Sequence, residues 1–194
     1  MNWDNVLITD AGPTLDKTFA GLSVHGVAQR RGIDDWNAYF DLVKDGPVDV
    51  APKSMNEEQK WLALKAPFVA IDVDSPLADP RTAPSAHARA FGAFPRVIAK
   101  YVRQDSALSL VDAIRRMTSL PANILRLTDR GRISVGMKAD LLIFDPEKIQ
   151  DNATYEKPLQ YSTGIDYMLV NGVAVISDGK LTAARPGTVI RHRP

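Results

Sequence analysis

The spacing of apolar residues changes near residue 130, and no other feature of the 194-residue sequence limits the fold as strongly. Before that point, apolar residues recur mostly every three or four positions, which is typical of amphipathic helices. After it, short apolar runs alternate with turn residues, and Asn171-Gly172 between two such runs is the strongest short-range signal for a β-hairpin. We therefore predict an α/β fold in two parts, with α/β units at residues 1–130 and a β-rich region at residues 131–194.

One apolar run in the first part ends in carboxylates. Residues 68–74 read Phe-Val-Ala-Ile-Asp-Val-Asp, and the patterns on both sides are helical. Such a run is typical of a buried parallel strand in an α/β unit, so we predict a strand at residues 68–74. The residues that follow, 75–89, contain three prolines, among them Pro84, and few apolar side chains. A loop of this length inside a domain is usually functional or disordered.

Local start signals predict several helices. Asp34 or Asp35 is a suitable N-cap for one helix, and Ser109 for another. Ser54 and Glu57 have the spacing of a capping box and predict a third helix that runs through residue 64. One face of the helix after Asp34 carries Trp36, Tyr39, Phe40 and Val43.

Composition and charge exclude several classes of protein. The formal net charge is +1, so electrostatics give no reason to expect nucleic acid or an anionic membrane surface as a partner. No apolar run approaches the roughly 20 residues that cross a bilayer. The absence of cysteine excludes disulfides and thiolate chemistry and fits a cytoplasmic location, which we therefore expect.

The chain lacks the compact motifs of self-contained metal, hydrolase and nucleotide sites. Its histidines, His25, His87 and His192, are far apart, and no H-x-H or H-E-x-x-H pattern occurs. The G-x-S-x-G and P-loop patterns are also missing from the sequence. We therefore expect no complete zinc hydrolase site within this chain.

Asp74 is the first candidate for chemistry. It ends the predicted strand and opens the long loop, which is where α/β sheets and barrels place reactive groups. Asp72 lies two residues earlier and faces the same side of a strand, so the pair could bind a metal or share a proton. The alternative is that the strand ends in Asp because a loop begins there.

Two further candidates lie in or next to the loop. The guanidinium of Arg89 is suited to holding a carboxylate through two parallel hydrogen bonds, as in an acidic substrate. Arg89 could equally be a solvated loop residue. His87 could be a ligand-binding side chain or a buried, hydrogen-bonded imidazole, and both interpretations stay open at this point.

Several stretches resemble the N-acyl-D-amino-acid deacylases, the D-aminoacylase branch of the amidohydrolase superfamily. Residues 87–97 read H-A-R-A-F-G-A-F-P-R-V, which is similar to that family's H-P-R-x-x-G-T-F-P-R-V. Residues 117–122 read M-T-S-L-P-A, which looks like the family's M-T-S-L-P-A. Residues 131–133 and 136–141 resemble the superfamily's G-x-I and G-x-x-A-D-L, in the same order.

The resemblance implies both a fold and roles. The fold is the C-terminal part of a metal-dependent (β/α) barrel whose final strand is residues 68–74, followed by strands of a small β-sandwich domain. Asp74 aligns with the carboxylate that takes a proton from the metal-bound water and passes it to the leaving amine. Arg89 would hold the substrate α-carboxylate, Met55 aligns with a residue near the acyl pocket, and His87 belongs to the same substrate-binding motif.

The chain also departs from the family pattern. Asp72-Val73-Asp74-Ser75 stands where the family has G-S-D-G, and Ala88 replaces the proline of H-P-R. The resemblance implies zinc in the complete enzyme, but the H-x-H ligands would lie upstream of this chain. Zinc lowers the pKa of its bound water to about 7, so Asp74 alone has no activated nucleophile to deprotonate.

Three hypotheses follow for the function. The chain is the C-terminal part of a deacylase that hydrolyses N-acyl-D-amino acids only with the missing barrel half, or a non-catalytic remnant that binds a ligand or partner. A third alternative is a new small-molecule site built from Asp72, Asp74 and Arg89. Because a partial barrel exposes strand edges and apolar faces, we expect a complementing barrel half or self-association.

Overall fold

The computed structural model describes residues 2–83, 86–155 and 157–191. Pro84 of the predicted loop and His192 lie outside the described residues. The α-helices are α1 (Val24–Arg31), α2 (Asp35–Asp45), α3 (Glu57–Lys65), α4 (Arg89–Arg96), α5 (Leu110–Met117) and α6 (Ser119–Ile124). A π-helix, Val97–Gln104, continues α4, and short 3-10 helices lie at Trp3–Asn5 and Lys17–Phe19. The strands are β1 (Val6–Asp10), β2 (Asp49–Pro52), β3 (Leu141–Phe144), β4 (Ile165–Val170), β5 (Val173–Ser177) and β6 (Lys180–Leu181).

Short-range hydrogen bonds fix where the helices begin. The Asp34 side chain accepts the N–H of Asn37 at 3.0 Å, and the Ser109 hydroxyl accepts that of Asp112 at 3.2 Å, so both predicted N-caps are confirmed. The predicted capping box at Ser54 is wrong. Helix α3 is capped by Asn56, whose side chain accepts the N–H of Glu58 at 2.8 Å.

The main hydrophobic core belongs to the helical unit of residues 3–48. It lies between β1, α1 and α2, and Ile8, Val27 and Ala38 have no exposed surface. Helix α2 presents Ala38 and Leu42 to this core rather than its aromatic residues. The predicted aromatic face instead packs against itself and the buried Trp3, and its outer side is exposed in Trp36, Tyr39, Phe40 and Val43.

The predicted strand at residues 68–74 is wrong for this structure. These residues pair with no strand in the described part of the chain, and every strand pair that the structure describes is antiparallel. A parallel strand needs parallel neighbours for its hydrogen bonds, and the described residues supply none. The alternation of the side chains survives, because Asp72 and Asp74 are exposed while Ile71 and Val73 are half-buried.

The β-rich region forms an antiparallel sheet in the order β3-β4-β5-β6. The predicted hairpin between β4 and β5 is confirmed, with Asn171 at φ 49° and Gly172 at φ 81°. Two consecutive positive φ values are the geometry of a type I′ turn. The mixture of helices and strands agrees with the predicted α/β class, whereas the barrel, the sandwich and the boundary at residue 130 stay predictions.

Within the described part of the chain, no helix combines the length and the apolar character that crossing a bilayer requires.

Candidate functional site

Three of the four predicted site residues line one cleft. The cleft has a volume of about 590 Å³ and lies between the start of α3, helix α4 and residues 151–155. Met55 enters from the residues before α3, while His87 and Arg89 enter from the beginning of α4. The other charged or aromatic lining residues are Lys53, Glu57, Lys60, Arg96, Asp151 and Tyr155.

Asp74 is joined to this cleft through Arg89. The Arg89 Nη2 atom lies 3.3 Å from Asp74 Oδ2, although the Asp74 side chain is 87% exposed. Asp74 has a φ of 43°, in the left-handed region that costs a non-glycine residue about 1–2 kcal/mol. Asp tolerates this conformation better than most residues, so the chain can turn here without glycine. Asp72 is exposed on the same side of the segment.

The backbone of Arg89 fixes the state of His87. The N–H of Arg89 donates to Nδ1 of His87 at 3.1 Å, which assigns the proton of the neutral ring to Nε2. Burial lowers the pKa of His87, the Arg89 charge lowers it further, and Asp74 opposes the shift. The ring also meets Tyr155 edge to face, with centroids 5.2 Å apart. His87 is therefore a neutral donor at pH 7, available through Nε2–H.

An ion pair that joins distant parts of the sequence forms the far wall of the cleft. Arg96 Nη1 lies 2.8 Å from Oδ2 of Asp151, whose side chain is buried. Gly92 allows this approach, because a Cβ atom there would lie 3.1 Å from the Cβ of Asp151. Sequence reasoning missed Asp151, since it lies 55 residues from Arg96 and no local pattern marks it.

The described residues do not make a zinc site on their own. No group of three or more His, Cys, Asp or Glu side chains that could hold a metal occurs within residues 2–83, 86–155 and 157–191. Near the cleft this chain offers the exposed carboxylate of Asp74, one neutral imidazole and several cations. Two further carboxylates line the cleft, but Glu57 is paired with Lys60 and Asp151 with Arg96. That set can bind an anionic ligand and move a proton.

The chain is similar to known hydrolases over most of its length. Residues 69–181 match the model of the amidohydrolase family. An N-acyl-D-glutamate deacylase of Alcaligenes xylosoxydans xylosoxydans is 43% identical over 189 residues, which are 97% of this chain and 37% of that protein. An N-acyl-D-aspartate deacylase of the same organism is 42% identical over 82% of this chain and 30% of its own length. The chain thus spans 37% and 30% of the lengths of these two curated relatives.

Solved structures show the same relationship. A D-aminoacylase with a binuclear metal centre has a TM-score of 0.80 and 30% identity, covering 92% of this chain and 36% of that protein. An N-acyl-D-glutamate deacylase from Bordetella bronchiseptica was solved with zinc and a phosphonate mimic of the tetrahedral intermediate. Its TM-score is 0.78 and its identity 30%, over 93% of this chain and 37% of that protein. These similarities confirm the resemblance that the sequence motifs indicated. They also confirm that a relative contains zinc.

Proposed function

Because the chain belongs to the amidohydrolase family, we propose that it forms the C-terminal part of a hydrolase that cleaves the amide bond of N-acyl-D-amino acids. The observation that carries this proposal is the cleft in which Met55, His87 and Arg89 meet and from which Arg89 reaches Asp74. The two Alcaligenes relatives act on N-acyl-D-glutamate and N-acyl-D-aspartate, which supports the substrate class and favours an acidic side chain.

Each site residue has a role that its chemistry supports. The Arg89 guanidinium carries five donors, so it can hold the substrate α-carboxylate while still contacting Asp74. His87 can donate from Nε2–H to a substrate oxygen. Met55 is largely exposed, and its flexible apolar side chain suits the acyl group.

Asp74 would carry the proton through the reaction. Water adds to the acyl carbon and gives a proton to the Asp74 carboxylate, and the C–N bond then breaks as Asp74 returns that proton to the leaving amine. The products are a carboxylic acid and a D-amino acid. The 87% exposure of Asp74 leaves its carboxylate open to such a reactant.

Activity would require residues beyond those described. The described residues do not fit a zinc ion, whereas the Bordetella relative was solved with zinc. We therefore expect the isolated 194 residues to be inactive and to act with a complementing barrel half, while self-association is the alternative assembly. A cytoplasmic location, based on the absence of cysteine, remains part of the proposal.

A second candidate function is non-catalytic binding. It is favoured by the sequence around Asp74, where Asp72-Val73-Asp74-Ser75 replaces the family's glycine-flanked aspartate. A remnant of this kind would keep the cleft and Arg89 but lose turnover. The two candidates therefore agree on ligand binding and disagree on hydrolysis.

A complementation assay separates them. The chain is mixed with zinc, N-acetyl-D-glutamate and the part of the Alcaligenes N-acyl-D-glutamate deacylase that lies outside the match, and release of D-glutamate is measured. We expect turnover only when both parts are present. Asp74→Asn should lower kcat by at least about a hundredfold. Arg89→Lys should raise KM roughly tenfold.

Asp41→Asn is the matched control, because Asp41 is an exposed carboxylate of α2 that pairs with Arg31 and does not line the cleft. Its activity should equal that of the unmodified chain. Binding of N-acetyl-D-glutamate without hydrolysis by any mixture would support the remnant. Turnover by the chain alone would contradict the claim that it is incomplete.

A further inference from the structure

We propose that Asp112, Arg115 and Arg116 of α5 form a clamp on residues 66–71 that positions Asp74. The clamp is defined by these three side chains, and its role in catalysis rests on the proposed function above. None of the three residues lines the cleft, so they would act through the segment and not on the substrate.

Arg116 is the centre of the clamp. It is 3% exposed, yet its Nη1 atom donates to the carbonyl of Ala66 at 2.7 Å and its Nε atom donates to Asp112 Oδ2 at 2.7 Å. Its own backbone carbonyl accepts the N–H of Ile71 at 3.1 Å. One residue of α5 therefore holds both ends of the 66–71 segment.

Arg115 adds a second contact to the same segment. Its Nη2 atom donates to the carbonyl of Pro67 at 2.7 Å, while Nε and Nη2 lie 3.0 and 2.9 Å from Asp112 Oδ1. Asp112 thus receives both guanidinium groups and fixes their direction. The clamp joins one turn of α5 to residues about 50 positions earlier in the chain.

Burial of the Arg116 charge is costly, which suggests that its hydrogen bonds to residues 66–71 serve a role beyond packing. Burying a guanidinium group destabilises the folded state unless its N–H donors form hydrogen bonds. Arg116 donates to Asp112 and to a backbone carbonyl. The segment pairs with no described strand, so these bonds replace the ladder that would otherwise hold it.

Asp74 lies between two anchors. It follows Ile71 by three residues, a span of at most about 11 Å of extended chain. Arg116 holds the chain before Asp74, and Arg89 contacts its carboxylate from α4. Loss of the first anchor would let the backbone of Asp74 move relative to the cleft while leaving Arg89 in place.

Hydrogen exchange on the full chain tests the clamp without any need for activity. In Arg116→Met, which keeps the apolar bulk, we expect exchange in peptides covering residues 66–74 to accelerate by about tenfold or more, whereas peptides from β4 and β5 stay unchanged. Arg116→Lys and Asp112→Asn are milder variants and should show smaller effects in the same peptides. Circular dichroism confirms that each variant is folded.

Arg130→Met is the matched control. Arg130 is another partly buried arginine that pairs with carboxylates, those of Asp129 and Asp140, but these partners lie outside residues 66–74 and outside the cleft. Its loss should accelerate exchange near residues 129–140 alone. Equal acceleration of residues 66–74 in both variants, or none in Arg116→Met, would overturn the clamp.

The kcat and KM of the complemented enzyme separate positioning of Asp74 from a purely structural role of the clamp. Arg116→Met should lower kcat by about tenfold to a hundredfold, because Asp74 is misplaced, with KM within about twofold of the unmodified value. Arg116→Lys should restore part of kcat, and Arg130→Met should leave kcat unchanged. If the Arg116→Met enzyme is active with an unchanged kcat, the proposal that the clamp positions Asp74 is refuted. If the unmodified mixture is itself inactive, the proposed function is refuted, and hydrogen exchange alone then shows whether the clamp holds residues 66–74.

Discussion

The helical unit of residues 3–48 and the sheet of residues 141–181 differ in how much apolar surface each buries. The helical unit packs two helices and a strand around Ile8, Val27 and Leu42, all at or near zero exposure. In the sheet, none of the residues in β3 to β6, all of which the structure describes, is buried. Both regions have regular secondary structure, so backbone hydrogen bonding alone does not produce a hydrophobic core.

Within the described part of the chain, no layer fully covers the sheet. Leu142 and Ile143 are neighbours on β3, so they point to opposite faces, and both are about half exposed. A sheet buries apolar surface only when a second layer packs on it. Most of the length of each relative lies outside the match, which is consistent with the proposal that further chain supplies this layer.

The largest expected effect comes from leucine truncation in the two regions. Leu42→Ala removes a side chain that is 2% exposed and should lower the free energy of unfolding by about 3.5 kcal/mol. Leu142→Ala, at a position 43% exposed, should cost less than about 1 kcal/mol. Urea denaturation monitored by circular dichroism measures both. Equal losses would mean that the sheet has a core after all.

A glycine pair gives the next largest effect. Both Gly164 and Gly21 have a positive φ, but a Cβ at Gly164 would lie 2.4 Å from the backbone N of Ile149, whereas nothing lies within 4 Å at Gly21. Gly164→Ala should therefore cost about 2.5 kcal/mol, and Gly21→Ala about 1 kcal/mol from the backbone alone. Thermal unfolding of the two variants tests the ranking. A smaller loss at Gly164 would show that residues 148–149 can yield, as a loosely packed region would.

Short-range features of the fold were predictable from the sequence because their physics is local. The N-caps at Asp34 and Ser109 and the turn at Asn171 depend on hydrogen bonds or φ values within about four residues. The strand predicted at residues 68–74 failed for the opposite reason. Its alternating pattern is present, but a strand is defined by partners, and pattern alone does not provide them.

The site was only partly predictable. The motif around His87 and Arg89 indicated a functional segment, and the structure places both residues with Met55 in one cleft. Nothing in the sequence marked Arg116, which sits on an amphipathic helix and looks like a surface residue until its contact with Ala66 is known. Long-range pairs of this kind depend on the tertiary fold, which local patterns do not encode.

Caps and turns should contribute similar free energies of unfolding in the helical unit and in the sheet. Asp34→Ala removes the cap of α2 and should cost about 1 kcal/mol. Asn171→Ala puts alanine at φ 49° in the hairpin and removes the bond from Asn171 Nδ2 to the carbonyl of Pro186, and it should cost about 1–2 kcal/mol. Chemical denaturation of both variants measures the two costs. A cost at Asn171 far below that at Asp34 would mean that the sheet is not cooperatively folded with the helical unit.

The smallest effects are pH dependences of opposite sign at two histidines. The hydrogen bond between His25 Nδ1 and Asp35, 2.7 Å long, raises the pKa of His25 above its usual 6.5. Its stabilisation is therefore complete below pH 6.5 and is lost as the pH rises through the folded pKa. The gap in Tm between the unmodified chain and His25→Gln should be larger at pH 6 than at pH 8.5.

His87 should behave in the reverse way, because burial and the Arg89 charge lower its pKa. The folded state favours the neutral ring, so the stabilisation is complete above pH 6.5 and is lost as the pH falls through the folded pKa. The gap in Tm between the unmodified chain and His87→Gln should then shrink on acidification, while the gap for His25→Gln grows. If both gaps changed in the same direction, either the hydrogen bond from Asp35 to His25 or the burial of His87 beside Arg89 would be absent in solution. A failure at His87 would remove the neutral donor from the proposed site.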